Sequence, residues 1–108
     1  MPRDASYISI ESSELASERG VSGMFTLSGV LRNRAGFAQA YPGIELTLTN
    51  TSDRAIARRV LMPADYLDEQ AARGAVFAAN SEYNLKMYID TAELAPTGYR
   101  LYLFYDRE

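Results

Sequence analysis

Apolar and polar residues alternate along most of the chain, with the period of two that is typical of half-buried β-strands. In the segment 44–49, for example, Ile44, Leu46 and Leu48 alternate with polar side chains. The segments that show this pattern, each predicted to be a strand, are residues 7–11, 25–31, 44–49, 82–90 and 99–105. The last segment is apolar on both faces, which favours a central position in its sheet.

A further strand is predicted over residues 55–61. The turn-rich residues 50–53, Asn-Thr-Ser-Asp, precede it, so we expect it to return as the hairpin partner of the strand before it. Its faces are mixed, because Ile56 and Val60 share one face with Arg58. A bulge or an edge position in the sheet would explain this mixture.

One segment, residues 64–73, is predicted to be a helix. Pro63 suits the first helical position, and Gly74 can end the helix. Its acidic residues favour the positive N-terminal end, and they are Asp65, Asp68 and Glu69. Six or seven strands and one short helix crossing between sheets predict an all-β, antiparallel, immunoglobulin-like β-sandwich, a single domain over residues 1–108. A small, partly open barrel is the alternative.

Composition excludes several classes of chemistry. The chain has no Cys and no His, so it lacks the Ser-His-Asp and Cys-His arrangements and the usual ligands of zinc, haem and iron–sulfur clusters. A net charge of -3 and a pI of about 4.9 argue against a nucleic-acid partner. No apolar run is long enough to span a membrane, so the chain itself is expected to be soluble. We expect no enzyme activity, no catalytic or metal-binding residue and no cofactor.

Carboxylates are the remaining source of catalytic groups. Asp65, Asp68 and Glu69 could bind a hard cation or act as an acid–base pair, but acidic residues also favour the first turn of a helix. A second acidic group follows the first predicted strand and is expected to be solvated, and it consists of Glu11, Glu14 and Glu18. A carboxylate-based hydrolase is therefore the least favoured hypothesis.

Arginines supply a candidate anion-binding set, which consists of Arg32, Arg34, Arg58 and Arg59. The first two share a strand face if the strand runs that far, and the other two could approach them from the hairpin. Such a patch could bind an acidic protein, a phosphate or a carboxylated sugar through bidentate contacts. Cross-strand pairs with Glu45 and Asp53 are the alternative use of these side chains.

The segment 33–43 joins two strong strands and is too long for a tight hairpin. It carries Phe37, Gln39 and Tyr41, which could bind a partner, because loops on a rigid sandwich often carry function. Alternatively, Phe37 and Tyr41 fold back and plug the end of the sandwich. The candidate binding surface as a whole is Arg32, Arg34, Phe37, Gln39, Tyr41, Arg58 and Arg59.

Several stretches of the chain resemble a bacterial domain-of-unknown-function family. They are residues 27–42, 45–50, 57–61, 63–67 and 98–105, of which the Asn-Arg-Ala to Tyr-Pro stretch from Asn33 to Pro42 is the most specific. In that family the domain is the C-terminal, extracytoplasmic module of a membrane protein with an N-terminal zinc-ribbon finger and a single transmembrane helix. The resemblance implies a truncated module from the periplasmic face of the inner membrane. It assigns no functional residue.

The main functional hypothesis is a non-enzymatic module that binds a protein or a component of the cell envelope. A sensor domain for a small anionic ligand or a sugar is the alternative, and the arginine set would carry that function. A purely structural role, as a spacer or scaffold, is the alternative to all of these functions, including the hydrolase. Any link to a membrane would run through a helix absent from this chain.

Overall fold

The computed structural model describes residues 2–18, 20, 23–74, 76–91 and 94–105. These residues contain six strands: β1 Ile8–Ser17, β2 Met24–Asn33, β3 Gly43–Thr49, β4 Ala55–Leu61, β5 Ser81–Asp90 and β6 Gly98–Phe104. They also contain a 3₁₀ turn at Ala5–Tyr7 and two short helices, α1 Pro63–Tyr66 and α2 Glu69–Gly74.

The strands form two antiparallel sheets, one with the order β1-β2-β5 and the other with the order β4-β3-β6. The helical segment connects β4 of the second sheet to β5 of the first. The predicted all-β antiparallel sandwich is therefore confirmed.

The core lies between the two sheets. From the central strand β3, Ile44, Leu46 and Leu48 are completely buried, as the alternation of this segment predicts. Leu27 and Leu31 of β2 belong to the same buried cluster. Burial of each such side chain stabilises the fold by about 2 kcal/mol.

The strand β6 lies at a sheet edge, so its predicted central position is wrong. Its second apolar face is the outer face of the sheet, where Tyr102 is 65 % exposed. Phe104 lies over Gly43 of β3, because a methyl group at Gly43 would come within 2.5 Å of the Phe104 ring. Aromatic side chains on an outer face explain the apolar pattern without a central position.

The predicted helix over residues 64–73 is divided into α1 and α2, so one short helix becomes two. Leu67 adopts an extended conformation with φ −75° and ψ 140°, and its N–H donates to the carbonyl oxygen of Pro63 at 2.9 Å. A carboxylate oxygen of Asp68 then accepts the N–H of Ala71 at 2.7 Å. Asp68 therefore caps a new helix instead of continuing the first one.

Two strands differ in detail from simple alternation. β1 runs to Ser17, so Glu11 and Glu14 lie within the strand and not after it. The register shifts between these two residues, where Ser12 has a φ of 53°. β4 is an edge strand and its pairing with β3 is irregular near Leu48, which confirms the explanation expected for its mixed faces.

Candidate functional site

Asn33, at the end of β2, organises the connection from β2 to β3. Its side chain is completely buried. Its Nδ2 group lies 3.1 Å from each of three main-chain carbonyl oxygens, which belong to Phe37, Phe77 and Ala78. Its Oδ1 atom accepts the N–H of Ala35 and an N–H of the Gln39 side chain, both at 3.0 Å. One amide therefore satisfies main-chain groups of two separate segments.

Gln39 extends this network towards the N-terminus. It forms a two-bond antiparallel bridge with Phe77, with N···O distances of 2.9 and 2.8 Å. Its Oε1 atom accepts the main-chain N–H of Asp4 at 2.6 Å. The buried polar side chains of the described residues all have hydrogen-bond partners. We call the side chains of Asn33 and Gln39, with the main-chain groups that they bind, the amide network.

Aromatic side chains pack beside the amide network. Tyr41 stacks on Phe77 with ring centroids 4.8 Å apart, and Tyr83 meets Tyr41 edge-on at 6.0 Å. Phe77 is 1 % exposed. This stack closes the end of the sandwich, and Tyr41 is the loop aromatic that takes part in it.

Two tyrosine hydroxyls hold the same loop through its carbonyl oxygens. Tyr66 donates to Pro42 at 2.7 Å, and Tyr105 donates to Ala40 at 2.8 Å. Burial raises the pKa of Tyr105 to about 12. Burial also raises the pKa of Tyr66 far above its ordinary value, and the nearby tyrosines add to the effect. Both hydroxyls therefore remain protonated donors at neutral pH.

Phe37 and Arg34 point outward from the same loop. The Phe37 ring is 41 % exposed and meets the Tyr7 ring, 42 % exposed, edge-to-face with centroids 5.6 Å apart. Arg34 donates from its main-chain N–H to the carbonyl oxygen of Tyr7 at 2.8 Å and from Nη2 to that of Ser6 at 3.1 Å. Among the residues described, no carboxylate forms an ion pair with Arg34. We call Tyr7, Arg34 and Phe37 the aromatic–arginine surface.

Tyr7 is a member of this surface that the sequence did not reveal. Its position in the alternating segment 7–11 suggested the first residue of a strand. Instead it ends a 3₁₀ turn in which the Asp4 carboxylate accepts the N–H of Ser6 at 3.1 Å. The Asp-x-Ser sequence is the local signal that could have indicated this turn.

The predicted arginines lie in separate places. Arg32 lies on the outer face of β2, with its guanidinium 2.5 Å from a carboxylate oxygen of Glu11 and 3.1 Å from one of Glu82. A hydrogen bond to Glu11 and the charges of Glu11 and Glu82 raise the pKa of Arg32. Because β2 ends at Asn33, Arg34 lies beyond the strand.

Arg58 and Arg59 lie on β4, in the opposite sheet from Arg32. Arg58 forms a 3.7 Å cross-strand pair with Glu45, one of the alternatives considered above. Arg59 donates to the main-chain carbonyl oxygen of Asp90 at 3.4 Å. Of the seven candidate residues, Arg34 and Phe37 both contact Tyr7 at the surface. Gln39 is buried in the amide network, and Tyr41 packs on Phe77.

The carboxylates near α1 and α2 act as hydrogen-bond acceptors at helix ends. Asp65 accepts the N–H of Met62 at 2.8 Å, in addition to the cap that Asp68 provides for α2. Within the described ranges, no group of three or more Asp or Glu side chains could hold a metal ion. In the same part of the chain, no helix has the length and apolar character needed to cross a membrane.

A small pocket lies next to the aromatic stack. It has a volume of about 230 Å³, and its lining includes Arg3, Tyr41, Met62, Leu67 and Tyr105. This volume lies below the range of about 300–1,000 Å³ that is usual for drug-sized ligands. The pocket is large enough only for a small molecule or a single side chain.

The described residues form an antiparallel β-sandwich of six strands, and one end of it carries exposed aromatic side chains on a hydrogen-bonded loop. The chain belongs to the family described as "Protein of unknown function (DUF3426)", which matches residues 5–103. The predicted resemblance to a domain-of-unknown-function family is confirmed to this extent. No curated protein and no solved structure matches the chain.

Proposed function

We propose that this domain is a non-enzymatic interaction module that binds a protein or a component of the bacterial cell envelope through the aromatic–arginine surface. The observation that carries the proposal is the exposed Tyr7–Phe37 ring pair beside Arg34, a cation without an ion pair among the described residues. All three residues are attached to a buried hydrogen-bonded scaffold.

Rigid attachment favours binding because little conformational freedom is lost when a partner arrives. Phe37 lies between Asn33 and Gln39, whose side chains are completely buried and bonded to each other. Aromatic residues and Arg are also the side chains that most often dominate binding free energy at interfaces. The guanidinium of Arg34 can bind a carboxylate or a phosphate of the partner.

The cellular setting is part of the proposal. The family resemblance supports a periplasmic module tethered by a transmembrane helix, with a zinc-ribbon finger before the helix. A non-enzymatic role is supported by the lack of His and Cys and by the use of Asp65 and Asp68 as acceptors at helix ends. The domain would then transmit binding in the envelope to the finger.

A pull-down from native envelope extract tests the binding surface. We expect the wild-type domain to capture a partner that is lost when Arg34→Glu and Phe37→Ala are combined. The matched control combines Arg54→Glu, in the turn before β4, with Tyr102→Ala on the outer face of β6, so it makes the same change in charge and also removes an exposed aromatic ring. Thermal melts establish that both variants are folded. Equal loss of the partner in both variants, or loss in neither, would contradict the assigned surface.

A small anionic ligand or sugar is the second candidate, favoured by the pocket near Arg3 and Tyr105. Ligand binding to the folded state would raise the melting temperature, and salt would reduce this rise if charge dominates. A screen over anionic ligands and sugars measures this directly. A flat response at all concentrations would remove the candidate.

A further inference from the structure

The two long sides of the sandwich differ in how far the sheets close. On one side β1 and β6 are in contact, and the hydroxyls of Ser13 and Tyr99 lie 3.0 Å apart. On the other side α1 contacts both β4 and β5, and next to α1 lies an open groove of about 570 Å³. Residues on the groove include Val60, Leu61, Met87, Tyr88 and Ile89. Both strands beside this groove are sheet edges.

Two hydrogen bonds show which β5 residues point their main-chain N–H and C=O groups towards β2 and which point them to the edge of the sheet. The carbonyl oxygen of Asp90 accepts from Arg59 of β4, whereas the N–H of Thr91 donates at 2.7 Å to Gly23, next to β2. Main-chain groups of successive strand residues point to opposite sides. The residues that present N–H and C=O groups at the free edge are therefore the even-numbered residues of β5, which are Glu82, Asn84, Lys86, Tyr88 and Asp90. Such an edge is a template for another strand.

We propose that the β5 edge binds a second copy of this chain, by antiparallel pairing of the two β5 strands about a two-fold axis at Tyr88. Lys86 of each copy then lies opposite Asp90 of the other, so the dimer gains two opposite-charge pairs. The Tyr88 rings, each 63 % exposed in the single chain, face each other across the axis. On the groove side, Met87 lies opposite Ile89 of the second copy.

Neighbouring registers are less favourable. An axis at Lys86 places two Lys86 side chains opposite each other and Glu82 opposite Asp90, so every charged residue of this register meets a like charge. An axis at Asn84 moves the second strand towards the helical connection, where Tyr83 accepts the N–H of Asp68 at 2.8 Å. An axis at Asn84 would also place Glu82 opposite Lys86, but Glu82 already pairs with Arg32 at 3.1 Å in its own sheet. The axis at Tyr88 therefore gives the opposite-charge pairs away from the helical connection, and the self-complementary charges of this edge favour a second copy as the occupant.

The contact is small, so we expect a weak, reversible dimer with a dissociation constant of roughly 10–1,000 µM. Lys86 contributes because it has no ion pair among the described residues of its own chain. Pairing also joins the two β1-β2-β5 sheets into one continuous sheet. The aromatic–arginine surface is not part of this contact, so the two proposals can fail independently.

A charge-swap experiment tests both the partner and the register. Sedimentation equilibrium up to about 1 mM is recorded for wild type, Lys86→Glu, Asp90→Lys and an equimolar mixture of the two variants. Each variant alone places like charges opposite each other twice, and we expect its self-association to weaken about ten-fold. In a mixed dimer both contacts join opposite charges again: one is the wild-type Lys86–Asp90 pair and the other joins the two substituted positions with reversed sign. The mixture should therefore associate as strongly as wild type.

Controls with the same changes in charge distinguish this pairing from a general charge effect. Arg54→Glu matches Lys86→Glu, and Glu14→Lys matches Asp90→Lys, and both should leave the dimer unchanged. Self-association that persists in the two edge variants, or a mixture that stays monomeric, overturns the proposal. A wild-type chain that is monomeric at every concentration also overturns it and leaves the edge to a strand of a different protein.

Discussion

The loop end and the β4–β5 side of the sandwich satisfy main-chain polar groups in opposite ways. At the loop end, the buried side chains of Asn33 and Gln39 form hydrogen bonds with main-chain groups of three segments. On the β4–β5 side, the edge groups of β5 face an open groove, and one of them, the carbonyl of Asp90, is held by Arg59 at 3.4 Å. The first arrangement makes a long loop rigid, and the second leaves a strand edge able to pair.

This contrast separates two kinds of exposed aromatic residue. The Phe37 ring is exposed and takes no part in the amide network beneath it. Tyr88 is exposed beside main-chain N–H and C=O groups that a second strand can pair with. Exposure alone would not distinguish them. The hydrogen bonds beneath each side chain indicate a side-chain contact in the first case and strand addition in the second.

The largest effect that we expect separates the two aromatic residues of the loop end. Phe77→Ala should lower the free energy of unfolding by about 4 kcal/mol, because it empties a fully buried site beside Tyr41. Phe37→Ala should lower it by less than about 1 kcal/mol, because the ring is 41 % exposed and lies outside the buried core. Urea unfolding of both variants measures the difference. If Phe37→Ala lowered the free energy of unfolding as much as Phe77→Ala does, Phe37 would plug the end of the sandwich. The distinction between a buried and an exposed aromatic residue at the loop end would then be wrong.

The amide network itself should produce the next largest effect. Asn33→Ala leaves buried carbonyl and N–H groups without partners and should cost about 3 kcal/mol of unfolding free energy. Asn84→Ala, an exposed strand position, is the matched control and should stay within about 0.5 kcal/mol of wild type. Chemical denaturation of the pair gives the comparison. Similar values for both variants would show that water replaces Asn33 without cost.

The sandwich was predictable because its strands alternate over several residues, as in Ile44, Leu46 and Leu48. The edge position of β6 was not predictable from the same pattern. Tyr102 is apolar in the alternation but mostly solvated in the fold, and a sequence pattern does not distinguish an outer aromatic face from a second buried face. The helix was divided for a similar reason, since Asp68 favours both a helix start and a helix interior near the N-terminus.

The candidate site was predictable only in part. Segment 33–43 stood out because of its length and its aromatics, but the roles of individual residues depend on contacts with residues far along the chain. Gln39 was proposed as a surface residue, yet it bridges to Phe77 and is completely buried. Tyr7 meets Phe37 across 30 residues of sequence, and nothing local links the two.

A pH titration should sharpen the view of the loop end with a smaller effect. Because the folded-state pKa of Tyr105 is raised from 10.0 to about 12, its contribution to stability is fully present below pH 10 and is lost as pH rises through that interval. The raised pKa of Tyr66 acts in the same direction. Unfolding free energy measured from pH 9 to pH 12 should fall, and Tyr105→Phe should make the fall shallower. An unchanged slope in that variant would show that Tyr105 does not bind Ala40 as a buried donor.

The smallest effect concerns Arg59, whose side chain donates to the main-chain carbonyl oxygen of Asp90 at the β5 edge. In the proposed dimer, the carbonyl of Asp90 accepts the N–H of Lys86 from the second copy, so Arg59 competes for it. Arg59→Ala should therefore tighten the dimer about threefold, as measured by sedimentation equilibrium. Arg58→Ala, on the same strand but paired with Glu45, should leave association unchanged. Weaker association of Arg59→Ala would mean that Arg59 contributes to the dimer contact. In that case Arg59 and the groove would be part of the interface, and Arg59 would not compete with the second copy for the β5 edge.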